Sequence, residues 1–101
     1  MAYPPPKVVG HGAERMQFIC YAVFKPEQRV KAGMSLAGPG PRDICAKALF
    51  RDRDDGFYLF SCDSEWRVMF DTNHETLDEA HRQAEFEHSG ISESWVWVKS
   101  R

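Results

Sequence analysis

His74, His81 and His88 recur every seven residues, and evenly spaced histidines near carboxylates invite a search for metal or acid/base chemistry. Helical geometry argues against a shared ion. On a helix His81 and His88 sit only about 20° apart around the axis. They are nonetheless two turns, about 10 Å, apart along it, whereas zinc-binding helices space their ligands by three or four residues. These read as surface or boundary histidines. Asp52, Asp54 and Asp55 look like the start of a calcium loop. The pattern breaks because Gly56 falls at its fifth position, not its sixth, and no glutamate closes it. A solvated hairpin turn accounts for the same residues.

Cys62 with His74, or Ser61 or Ser64 with a histidine, supplies a nucleophile and a base by residue type. Asp63, Glu65, Asp71 and Glu75 could by type include an acid/base pair. Neither set has the strained glycine elbow, the oxyanion loop or the third orienting group that would make the spacing meaningful. The sequence therefore assigns no catalytic residue, no metal ligand and no cofactor, and points away from an enzyme.

The elements that would position these groups are clearer. A chain of 101 residues supports one core, and 43% hydrophobic with 13% aromatic content is well above that of a disordered chain. A formal charge of -2 gives no field for whole-chain capture of nucleic acid or an anionic membrane. The longest apolar stretch, Phe18 to Phe24, is too short to span a bilayer, and Met1 to Lys7 lacks the apolar run of a secretory signal. A cytoplasmic location without membrane contact is expected. Cys20, Cys45 and Cys62 cannot all pair with one another and form no C-x-x-C, so buried free thiols are expected.

Residues 1–15, with Pro4-Pro5-Pro6 and two glycines, read as an extended or disordered tail, and 16–98 as the domain. Met16 to Phe24 is apolar on both alternating faces, which suits a central or doubly covered strand. Residues 25–42, polar and broken by Gly38-Pro39-Gly40-Pro41, read as a mobile loop. Asp55-Gly56 and Ser64-Glu65 are read as two-residue turns of a three-strand meander. In that register Ala46, Ala48, Phe50, Phe57, Leu59, Ser61, Trp66, Val68 and Phe70 share an apolar face.

Thr76-Leu77-Asp78-Glu79 fits a capping box, with helix from Leu77 to about Ser89 and Gly90 closing it. Leu77, Ala80, Ala84, His88 and Ile91 form its inward stripe, laid on Phe50, Leu59, Val68 and Phe70. Trp95-Val96-Trp97-Val98 reads as a last strand at or beside the sheet edge. The expected fold is α+β: an antiparallel sheet of four or five strands, in the order β-β-β-β-α-β, with one helix on one face.

The opposite sheet face would then carry basic, aromatic and aliphatic groups in alternation. Lys47, Leu49, Arg51, Tyr58, Phe60, Arg67 and Met69, joined by the outward Phe86 of the helix, are the candidate interaction surface. Two partners suit it: a protein, including a second copy of this chain, or single-stranded nucleic acid stacked on Phe60 beside Lys47, Arg51 and Arg67. The first is favoured, since the net charge is acidic and no RRM signature is present.

Three stretches carry a resemblance: Gly56-Phe57-Tyr58-Leu59-Phe60, the helix start Thr76-Leu77-Asp78-Glu79-Ala80, and Gly90-Ile91 before Trp95. Together they resemble a widespread type of short, uncharacterised bacterial α+β protein. The order of glycine-containing strand, further strand and T-L-x-E-A helix is similar to the N-terminal module of HicB-like antitoxins. It covers under half the chain, and implies a small partner-binding domain without assigning a functional residue.

Overall fold

The computed structural model of the chain describes residues 5–24 and 44–98. They contain β1 (Gln17–Val23), β2 (Ala46–Asp52), β3 (Gly56–Cys62), β4 (Val68–His74), α1 (Leu77–Glu87) and β5 (Val96–Trp97). Short 3-10 turns stand at Ala13–Arg15 and Ile91–Glu93. All five strands form one antiparallel sheet in the order β4-β3-β2-β1-β5, with α1 packed across one face. Both the α+β class and the β-β-β-β-α-β order are as expected. The loop expected at 25–42 lies outside the described residues.

The first hairpin departs from the expected register. Asp52 pairs with Gly56, so three residues, Arg53-Asp54-Asp55, make the reversal. The turn is held by Asp52 Oδ1, which accepts from the Asp54 amide at 2.8 Å, and by the Tyr58 hydroxyl, which donates to Asp55. A one-residue change of register turns every side chain of a strand to the other face. Leu49 therefore pairs with Leu59 and Ala48 with Phe60. Lys47, Leu49 and Arg51 face the helix side, and Ala46, Ala48 and Phe50 do not.

The second hairpin contains the same kind of change, and then undoes it. Ser64-Glu65-Trp66 forms the loop, with the Asp63 amide donating to Arg67 O at 3.0 Å and Trp66 taking the left-handed φ of 64°. A bulge follows, since Cys62 pairs with Val68 while Ser61 pairs with Phe70. The bulge restores the alternation, so Leu59 and Phe70 lie together under α1 as expected, while Val68 packs on the far side. A further bulge between Phe18 and Cys20 puts Ile19 and Cys20 toward the helix and Phe18 with Tyr21 away from it.

Thr76 caps α1, its hydroxyl accepting from the Glu79 amide at 3.1 Å. The Glu79 carboxylate accepts from Glu75 N at 3.3 Å, one residue before the cap amide that a standard box would use. Ala80, Ala84, His88 and Ile91 are all fully buried, which fits the inward stripe. The helix itself stops at Glu87, before Ser89, because Glu85 accepts from the amides of Gly90 at 2.6 Å and Ser92 at 3.1 Å and draws the chain into its next turn. His88 is consequently no surface histidine; it stacks on Phe24, ring centroids 4.0 Å apart.

The face away from α1 is covered from the N-terminal side. Val9 bridges to Arg67 beside β4, its amide donating to Trp66 O at 3.0 Å and its carbonyl accepting from Val68 N at 2.9 Å. Val8 and Ala13 are buried with Ala48, Phe50, Phe60 and Cys62, and Met16 packs against them. From Val8 onward the segment read as a tail is thus part of the domain. Apolar Val8 and Ala13 are the residues that grip the sheet face, while Val9 between them is half exposed, a signal masked by the neighbouring prolines and glycines.

Candidate functional site

The register divides the eight residues of the expected surface. Lys47, Leu49, Arg51 and Met69 lie on the helix side, and Tyr58 and Phe60 on the other. Lys47, Leu49 and Phe60 are fully buried. Arg67 stays in the second turn, donating from Nε to Asp63 Oδ2 at 2.9 Å and lying 3.2 Å from Glu65. Phe86 alone stands free on the outer face of α1, 77% exposed. Phe60, the intended stacking platform, instead meets Phe50 on its own face and the edge of the His11 ring at 6.1 Å.

The structure does gather one polar constellation that pattern reading missed. Lys47 Nζ donates to Ser61 Oγ at 2.5 Å and to the Glu87 carboxylate, whose second oxygen accepts from Gln83 Nε2 at 2.6 Å. Paired strand positions supply Lys47 and Ser61, and successive turns at the C-terminal end of α1 supply Gln83 and Glu87. Burial pushes the Lys47 pKa down, with the Glu87 charge and hydrogen bond opposing. Burial also pushes the Glu87 carboxyl up, but the Lys47 charge and the hydrogen bonds from Lys47 and Gln83 outweigh it, and its pKa falls. The two differ because the Lys47 side chain is wholly enclosed whereas that of Glu87 keeps 17% of its surface in solvent.

Serine bonded to a buried lysine is the pairing of a nucleophile with a base. Here the ammonium is committed to Glu87 and Ser61 is itself buried, so no substrate carbonyl can approach the hydroxyl. The arrangement instead fastens the C-terminal turn of α1 to the sheet, with a cation at the negative end of the helix dipole. Only the capacity of lysine to sit inward at a strand position, paired across the strand with a serine, could have flagged it in advance.

Cysteine and histidine are also brought together, but in unreactive forms. Cys20 Sγ lies 4.0 Å from His81 Nε2, and the His81 ring meets Trp95 edge-on at 4.7 Å. Burial pushes the Cys20 thiol up to about 12 and the His81 imidazole down, with Asp78 opposing the latter. Both groups are therefore neutral at pH 7, the reverse of a thiolate–imidazolium pair. Cys62, likewise pushed to about 12 by burial and then by Asp63, lies on the opposite face from His74. His74 bonds Thr72 Oγ1 at 2.7 Å and lines a shallow cavity with Glu79, Arg82 and Gln83, which contains no nucleophile. Native protein treated with iodoacetamide at pH 8 should leave Cys20 and Cys62 unmodified, with both alkylated once urea is added. Mass-spectrometric detection of prompt labelling at either position in the folded state would contradict this placement.

Large apolar side chains are exposed mainly at the β1/β5 edge. Val96 and Trp97 of β5 are 48% and 55% exposed, and Val23 of β1 is 51% exposed. Trp97 leans on the His81 ring, centroids 5.5 Å apart. Among the described residues no three metal-ligating side chains converge, and no helix is long and apolar enough to cross a membrane. Comparison of the chain with protein families, with characterised proteins and with solved structures gives no match.

Proposed function

We propose that the protein is a non-enzymatic binding module that associates with another protein chain, in the first instance a second copy of itself, through the β5 edge. The supporting observation is the exposure of Trp97 and Val96 on an edge strand. Among the described residues β5 pairs on one side only; such a strand offers free backbone donors and acceptors, and a tryptophan there supplies the apolar anchor that interfaces favour. Val96 shares the Tyr21 face of the sheet and Trp97 the Cys20 face. A strand laid alongside β5 would therefore cover both residues at once. The resemblance to HicB-like N-terminal modules implies the same class of activity, partner binding.

Sedimentation equilibrium over a concentration series tests the self-association reading. The wild-type mass should rise toward that of a dimer, and Trp97→Glu should remain monomeric with an unchanged far-ultraviolet spectrum, because the side chain it replaces is more than half exposed. A wild-type chain monomeric at every concentration would overturn it.

A further inference from the structure

The first residues of β1 and the last of β2 meet at one end of the sheet, where Gln17 pairs with Arg51. Arg15, from the turn before β1, and Arg53, from the turn after β2, both lie just beyond that pair at the same end of the sheet. The four side chains line a solvent-open cavity of about 350 Å³. Sequence distance conceals this cluster, which exists only because the β1/β2 register brings residue 15 beside residues 51 and 53.

Three guanidiniums around one hollow are conspicuous in a chain of formal charge -2. Among the described residues no carboxylate lies within 4.0 Å of any of them, although Arg67, Arg82 and Lys47 all have such partners. Acids are close in sequence but differently engaged: Asp52 holds the Asp54 amide and Asp55 the Tyr58 hydroxyl. Arg51 is steadied from below by the Phe57 ring, 5.9 Å from its centroid. Like charges gathered without counter-charge repel one another, and an arriving anion relieves that repulsion.

We propose that this cavity binds a small phosphate monoester. A phosphate dianion presents three terminal oxygens, which guanidiniums can approach from several sides with paired N–H donors, while the Gln17 amide can donate to a further oxygen. A single carboxylate offers one charge in one plane and would leave most of the cluster unbalanced. A nucleic-acid strand would have to continue beyond the cavity, past Glu14, Asp54 and Asp55, whose charges oppose a polyanion. The site is therefore suited to a compact ligand that ends in its phosphate.

The test is calorimetric titration of the full chain at low salt with phenyl phosphate, inorganic phosphate, succinate and oligothymidylates of increasing length. Saturable one-site binding of phenyl phosphate is expected, lowered at least about tenfold in Arg15→Gln/Arg51→Gln/Arg53→Gln, whose melting temperature should not fall because the three residues are exposed and their mutual repulsion is removed. Binding of inorganic phosphate to the same site would show that the phosphoryl group itself is recognised; tighter binding of the ester would assign part of the affinity to the group it carries. Absence of saturable phenyl phosphate binding would overturn the proposal. So would equal affinity in the triple variant, equal affinity for succinate, or oligothymidylate affinity that grows with length.

Discussion

Replacing Glu87 with alanine should destabilise the domain by about 3–5 kcal/mol, the usual loss when one member of a buried ion pair is removed and the other is left enclosed. Lys47 Nζ would retain only Ser61 Oγ, with no anion to balance its charge. Lys47→Met should be much milder, about 1 kcal/mol, because an unbranched apolar chain fills the same slot. Glu87 can then turn its partly exposed carboxylate to solvent. The ranking follows from which partner is buried deeper, and the reverse order would show that Lys47 is not the enclosed member of the pair. Urea denaturation at pH 7 reads both values; should Glu87→Ala prove too unstable to measure, adding Lys47→Met to it is expected to restore folding.

The same pair makes stability rise with pH in two separate ranges, an alkaline one in the variant and an acid one in the wild type. In Glu87→Ala the enclosed lysine is held further below its ordinary value of 10.5, so the unfolded chain binds more protons than the folded one up to that pH. Stability of this variant should accordingly rise between pH 7 and 9. In the wild type the Glu87 carboxyl is held below its ordinary value of 4.5, so its contribution is complete above that pH and is lost as acid titrates it through the lower folded value. A flat profile for Glu87→Ala from pH 7 to 9 would show that Lys47 is not trapped without its partner.

The inward position of Lys47 marks the limit of what residue pattern alone specifies. Strand and helix existence followed from residue chemistry: Thr76 and Glu79 cap α1, and Ala80, Ala84 and Ile91 mark its inward face. Faces, by contrast, depend on the count of residues in each reversal. Alternation cannot decide between sides in β2, since Ala46, Ala48 and Phe50 on one and Leu49 on the other are all apolar. Both sides are in fact covered, one by α1 and one by the segment from Val8, so neither is marked by polar residues. The β4 assignment survived only because an extra loop residue and a bulge cancel. The faces of the candidate surface depend on the same counts, and the arginine cavity is invisible to pattern because its members come from two segments far apart in sequence.

Gly56→Ala should cost about 3 kcal/mol or more, in the range reserved for substitutions with a named steric cause. Two effects coincide. Gly56 holds a left-handed φ of 80°, which costs an L-residue about 1–2 kcal/mol. An added Cβ would also sit 2.4 Å from the carbonyl oxygen of His74, a backbone atom that no rotamer change can move. Relief requires β3 and β4 to part where Phe57 pairs with His74, sacrificing ladder hydrogen bonds worth about 1 kcal/mol each. Gly12 supplies the control, for it has a φ of 81° but its added Cβ would meet nothing nearer than the flexible end of Met16 at 3.9 Å. Gly12→Ala should therefore show the conformational cost alone, and the excess of Gly56→Ala over it measures how tightly the three-residue turn presses β3 onto the end of β4. Equal losses in parallel urea titrations would mean that the strands do not approach so closely there, and the register that buries Lys47 and Phe60 would lose its anchor.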